Sequence, residues 1–434
     1  MRSPKKLWSQ CKLLIPGGNG LISKRPERYS VEKWPTFYSR SKGIHIWDLN
    51  KKKYTDMCQM GIGTCVLGYA NNFIDKKVKA AIDKGVNSSL NSLEEFYLAK
   101  KILKYDKFAD NVKFARGGGE AMAIAVRIAR ATSKRDIIAF SGYHGWHDWY
   151  LATNLKNKQN LNKHLLPGLE PIGVPKGLIN SIVGFNYNDI EDFKTKVKNK
   201  DLAAIVVEGS RFQNPNKEFV KTINRFCKTN NICLIIDEIT SGWRNTIGGV
   251  YKKFGFKPDI VVYGKGIGNG YAISCIVGKK KYLKNSDKSF ISSTAWTERL
   301  GFVAASATID FFIKEKVNNK IDKNGKYLIK QWKILKEKHN LKLEFSENSA
   351  LASFYFNYES NINSKLYKFF TERMIDYNYL ATNSIYLSYY HNKNEFDKYL
   401  KVCDKIFFEI KCLINNKNKL RNLKQRKENF KRLT

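Results

Sequence analysis

The chain has 434 residues, of which 43% are hydrophobic and 27% charged, enough for a large core and two or three domains, and this excludes wholesale disorder. No run approaches the ~18 apolar residues that cross a bilayer, and the basic start MRSPKKLWSQCKLLIPGGNG is broken by polar residues and Pro16; neither a membrane span nor a secretory leader is expected, and the protein is read as soluble and cytoplasmic. The formal net charge of +38 raises nucleic acid as a partner, but the excess is lysine spread among Asn and Ile with no nucleic-acid motif beside it, which argues for a compositional bias instead.

In chain order, residues 1–60 mix strand-like pieces with turns, and GIHIWDLNKKKYTDM reads as a hairpin about Asn50. Residues 61–315 alternate short runs rich in Val and Ile with amphipathic stretches. The predicted strands are Val112–Ala115, Asp136–Phe140, Ala203–Val207, Ile232–Ile236, Asp259–Val262 and Ile273–Val277, with helices over Glu120–Ala131 and Phe219–Thr229. Continuous apolar runs of this length suit strands buried on both faces, and their alternation with helices predicts an α/β fold with a mostly parallel central sheet. Residues 316–434 read as a smaller α+β region, completed by the N-terminal segment, with a strand pair around LASFYFNY. The stretch from Asn415 to Thr434, with Glu428 as its one acid, reads as a solvated helix end or tail. The eight cysteines include no C-x-x-C pair and several sit in apolar runs such as NICLIID and AISCIVG, the pattern of free thiols in a reducing compartment.

Parallel strands place functional groups at their carboxyl ends. Three such ends stand out: IVVE stops at Glu208, LIIDE at Asp237 and Glu238, and DIVVYGKG at Lys265. Lys265 lies between glycines directly after an apolar strand, where an amine near apolar walls can lose its proton and attack an aldehyde. A carboxylate at a buried strand end, such as Asp237, needs a partner; the protonated ring nitrogen of pyridoxal phosphate is one, and an N-cap for the following TSGWR is another, more so for Glu238. Gly117, Gly118 and Gly119 open the stretch RGGGEAMAIAVRIARA between strand and helix, an arrangement that turns backbone N–H groups toward a phosphate. Tyr143, in SGYHGWHDW, is placed to stack on a flat ring. His144 and His147 lack a convincing third ligand, so no metal is expected, and Trp146 and Trp149 read as packing residues.

Together these motifs resemble the class III aminotransferases, and within them the branch similar to glutamate-1-semialdehyde 2,1-aminomutase. The resemblance runs from about Ile15 to about Ile406, through PGGNGLISKRPE, KGIHIWDLNKKKYTDM, GIGTCVLGYAN, ARGGGEAMAIAVRIARA, GYHGWHDW, VVEGSR, LIIDEITSGWR, YGKGIGNG and STAWTER. It implies a fold-type I homodimer with a large domain over residues 61–315 and active sites at the subunit interface. It implies the cofactor pyridoxal 5'-phosphate, with Lys265 as the catalytic Schiff-base lysine, Asp237 on the ring nitrogen, Tyr143 stacked on the ring, Glu208 toward the phenolic side, Gly118 and Gly119 at the phosphate, and Thr294 reaching the phosphate of the other subunit. An amino donor and a carbonyl acceptor are the implied substrates; an intramolecular aminomutase is the alternative on the same residues. A non-catalytic basic nucleic-acid-binding protein is the remaining reading. Two departures stand out. The family's Ser-Gly-Thr phosphate loop is three glycines here, and its Glu-Pro pair is Glu208–Gly209. The forms STAWTER and GYHGWHDW are similar to members that build modified sugars or surface polysaccharides. Arg25, Arg28 and Arg211 are candidate anchors for a substrate carboxylate or phosphate.

Overall fold

The computed structural model describes residues 3–425. The chain forms two compact units, one made of the chain up to Asn71 together with the chain from Asn319, the other of Asn72–Asn318. In the first unit β1 (Tyr38–Lys42), β2 (His45–Asp48) and β3 (Lys53–Met57) pair antiparallel in sequence order. The predicted hairpin about Asn50 is β2 and β3, and Asp48 shapes its turn by accepting from the N–H groups of Asn50 at 2.8 Å and Lys52 at 2.9 Å.

The second unit is built on seven strands: β4 (Asn111–Ala115), β5 (Ile137–Ser141), β6 (Ile182–Gly184), β7 (Leu202–Glu208), β8 (Cys233–Asp237), β9 (Ile260–Tyr263) and β10 (Ser274–Gly278). Their order across the sheet is β4-β10-β9-β8-β7-β5-β6. β6, β5, β7, β8 and β9 run parallel, whereas β10 is antiparallel to both β9 and β4. The six predicted strands are present, each within one residue of its expected ends. β6 was not expected: at three residues it is too short to carry a periodic signal.

Every residue of β7 and β8 is buried, which accounts for their unbroken apolar runs. Helices cover the sheet through faces the sequence supplies. Gly118–Ser133 buries Met122 and Ile128 together with Ala121, Ala125 and Ala129, the alanines being small enough to let the helix lie close to the strands. Lys217–Thr229 buries Phe219, Val220, Ile223 and Cys227, and its start is capped by the Asn216 side chain, which accepts from Phe219 N–H at 2.8 Å.

The first unit is completed by β11 (Leu343–Phe345), β12 (Leu351–Phe356), β13 (Tyr379–Ala381) and β14 (Ser384–Tyr386). β13 joins β3 in parallel, and β11-β12-β14 make a separate sheet. The basic stretch after Asn415 is helical over Lys417–Asn422, and its expected tail from residue 426 lies outside the described residues. All eight cysteines are free thiols. Among the described residues no helix is long and apolar enough to cross a membrane.

Candidate active site

The parallel strands carry their last residues to one edge of the sheet. Ser141 at the end of β5 lies opposite Val207, Glu208 opposite Asp237, and Asp237 opposite Val262. Lys265 follows two residues after β9 ends at Tyr263. Its φ is +44°. The lysine itself takes the left-handed conformation, an uncommon placement for a residue with a Cβ.

Asp237 is buried, with one contact on each carboxyl oxygen. Its Oδ2 lies 2.8 Å from His144 Nδ1, and its Oδ1 accepts from Ile239 N–H at 3.0 Å. The other ring nitrogen of His144 lies 3.2 Å from the carbonyl oxygen of Ser141. The carboxylate oxygen accepts, so His144 donates to Asp237 through Nδ1. The imidazole and a backbone amide thus both aim donors at this buried carboxyl group. Glu238 points to other work. It accepts from Ser241 Oγ at 2.5 Å and from Tyr251 N–H at 2.8 Å, and burial pushes its carboxyl up to about 7.

A second network joins the remaining strand ends. Glu208 Oε1 accepts from the Arg211 guanidinium at 2.6 Å, with both side chains buried, and Glu208 Oε2 accepts from Tyr143 N–H at 3.3 Å. The Arg211 guanidinium also lies over the Tyr143 ring, 5.7 Å from its centre. Thr240 Oγ1 accepts from Arg211 at 3.0 Å and from Lys265 Nζ at 2.9 Å. The structure therefore brings Tyr143, Glu208, Arg211, Thr240 and Lys265 into one chain of contacts. Arg25 and Arg28 belong to the other unit.

Gly118 and Gly119 open the helix Gly118–Ser133, so their N–H groups have no acceptor within it. Glu120 steadies the turn before them by accepting from Arg116 N–H at 2.9 Å and Gly117 N–H at 3.1 Å. Both glycines are closely packed: a Cβ on Gly118 would lie 3.0 Å from the Ile239 side chain, and one on Gly119 3.0 Å from His147 Nδ1. Thr294 is exposed, in a short turn over Thr294–Thr297. That turn is tied to the phosphate loop of its own chain: Arg116 donates to Ala295 O at 2.7 Å, and Trp296 Nε1 donates to Glu120 at 3.0 Å. The following helix, Arg299–Lys314, is capped by Glu298, so capping is not the task of Thr294.

Three residues gain roles that sequence reasoning did not assign. His144 holds Asp237, Thr240 joins Lys265 to Arg211, and His147 lies against the phosphate loop. Only His144 and His147 carried a local signal, a pair of histidines just past a strand end, and it suggested a metal. Among the described residues no group of three or more His, Cys, Asp or Glu side chains is arranged to hold one.

A model of the aminotransferase class-III family matches residues 28–377. A 3-aminobutyryl-CoA aminotransferase of Cloacimonas acidaminovorans (strain Evry) is 31% identical over 331 residues, covering 74% of this chain and 75% of that protein. A glutamate-1-semialdehyde 2,1-aminomutase of Nitrosopumilus maritimus (strain SCM1) is 34% identical over 333 residues, covering 74% and 76%. Among solved structures, the FumI protein of Sphingopyxis sp. MTA144 in its PLP internal aldimine form superposes with a TM-score of 0.86 at 20% identity over 98% of both chains. A transaminase with PLP bound superposes at 0.83, with 21% identity over 95% of this chain and 99% of that one. With a lysine just past one parallel strand, a carboxyl group held at the end of the next and a family match across most of its length, the chain belongs to the class III aminotransferases.

Proposed function

We propose that the unit Asn72–Asn318 binds pyridoxal 5'-phosphate and that the protein moves an amino group between an amino donor and a carbonyl acceptor. The observation that carries this reading is the placement of Lys265, just beyond β9, beside the buried Asp237 that His144 holds at the end of neighbouring β8. The residues fit the cofactor: a glycine cradle that no side chain fills opens a helix, and beside it His147 Nδ1 is buried with no hydrogen-bond partner among the described residues.

Bound there, pyridoxal phosphate supplies a protonated ring that withdraws electrons from the carbon bearing the amino group. Asp237 holds the proton on the ring nitrogen. Lys265 Nζ is the amine that holds the cofactor and the base that moves the proton at the substrate's amine-bearing carbon. Tyr143 offers the stacking ring, Glu208 faces the phenolic side, and Gly118 and Gly119 present N–H groups to the phosphate. Thr294 serves the phosphate of a second subunit in a homodimer. The forms STAWTER and GYHGWHDW support a carbonyl acceptor used in modified-sugar or surface-polysaccharide synthesis.

An intramolecular aminomutase is the second reading. The 34% identity with the Nitrosopumilus aminomutase favours it. Borohydride treatment of the purified protein is expected to fix the cofactor on Lys265, and Lys265→Ala to abolish turnover. A label mapped to another lysine would overturn the assignment. A screen of donors and acceptors decides between the two reactions, because a mutase converts one substrate with no donor added.

A further inference from the structure

The glycine at position 119 leaves the phosphate cradle without a side-chain donor of its own, and another residue occupies the space. The loop after β5 approaches the cradle backbone to backbone. Gly145 has φ +105°, and a Cβ on it would lie 3.0 Å from the Cα of Gly119, so the approach calls for glycine at position 145. Two residues on, His147 starts the helix Asp148–Leu151, its carbonyl accepting from Tyr150 N–H at 2.9 Å. The Trp146 ring stacks on the imidazole with centres 4.4 Å apart. Held this way, the imidazole sets Nδ1 and Cε1 at 3.0 and 3.1 Å from where a Cβ of residue 119 would be. Nδ1 is buried and makes no hydrogen bond to any described residue. A buried ring nitrogen without a partner beside first-turn amides is a polar atom whose partner is still to come.

We propose that His147 does the work of a side chain at position 119, donating an imidazole N–H to the cofactor phosphate. The inference rests on the cofactor reading above. Burial holds the ring below the usual histidine range, against the pull of Glu120 and Asp148, and the neutral imidazole donates here in its Nδ1–H tautomer.

The test is titration of cofactor-free protein with pyridoxal phosphate and, separately, with pyridoxal, which lacks the phosphate, followed by absorbance. His147→Leu is expected to weaken pyridoxal phosphate about tenfold, the scale of one charge-assisted hydrogen bond, and to leave pyridoxal within about twofold. His147→Gln, which keeps an N–H, is expected to recover most of the loss. Gly119→Thr alone is expected to weaken binding, because its Cβ meets His147. In His147→Ala the same threonine fits, and the pair is expected to regain phosphate affinity. An unchanged affinity in His147→Leu, with the wild type binding normally, overturns the inference and leaves the cofactor reading standing. So does an equal loss for both ligands, which marks a merely structural histidine. A wild type that binds neither ligand overturns both readings.

Discussion

Asp237 and His144 act as one unit, because the carboxylate can serve a ring nitrogen only while its charge is kept. Asp237→Asn preserves shape and removes the charge, and turnover is expected to fall about 10²–10³-fold, the loss typical of a preorganised electrostatic group. His144→Ala is expected to cost less. The double variant is expected to be no slower than Asp237→Asn alone, since the histidine works through the aspartate; kcat/KM for the four proteins checks this, and additive losses would separate the two residues. Glu238, its sequence neighbour, has a stability signature instead. Its carboxyl is raised to about 7 from an ordinary 4.5, so its contribution is fully present below about pH 4.5 and is lost as pH rises through 7. The linked change is about 3 kcal/mol. Glu238→Gln retains a carbonyl for Tyr251 N–H and an amide to donate to Ser241, and its stability curve, measured by denaturant against pH, is expected to lack that fall. Lys265 and Asp237 were legible because strand ends are visible in a single sequence. The partnership of His144 was not, because Asp237 lies 93 positions away; nor was that of Thr240, which meets Lys265 across 25.

Between strands, the departure from a Glu-Pro pair acquires a reason. Gly209 N–H donates to Asp237 O at 2.9 Å, which carries the contact between β7 and β8 one residue past Glu208. A Cβ at 209 would also lie 2.9 Å from the Glu238 carboxyl. Gly209→Pro removes the donor and crowds Glu238, and is expected to cost about 3 kcal/mol or more in denaturant unfolding. A variant as stable as the wild type would show that the turn relaxes without penalty. The strands themselves were readable because burial on both faces leaves runs such as IVV and LII with no polar interruption. Their order and direction were not. Ile273–Val277 reads like its parallel neighbours, yet β10 runs against them, since a buried strand needs apolar residues whichever way it points.

At the scale of the whole molecule, the proposed homodimer makes each site depend on two chains. Leu90, Leu93, Phe96 and Tyr97 are exposed along the start of the helix Leu93–Tyr105, apolar area of the kind a partner covers. Mixing inactive Lys265→Ala and Thr294→Ala proteins under conditions that exchange subunits is expected to restore some activity, because one site of each mixed dimer carries neither defect. No recovery, with mixed dimers shown by native mass spectrometry, would return Thr294 to its own subunit's site or remove it from the site. The path of the chain through the sheet also governs when this protein can first function during synthesis. β4, which leads into the phosphate cradle, stands at the edge of the sheet with β10 as its single neighbour. A nascent chain therefore carries Gly118, Asp237 and Lys265 out of the ribosome before the strand that secures the cradle has been made, and closing so long a loop is slow. Until Gly278 has been made β4 has no neighbour in the sheet, so the strand leading into the cradle is the last of the seven to be secured.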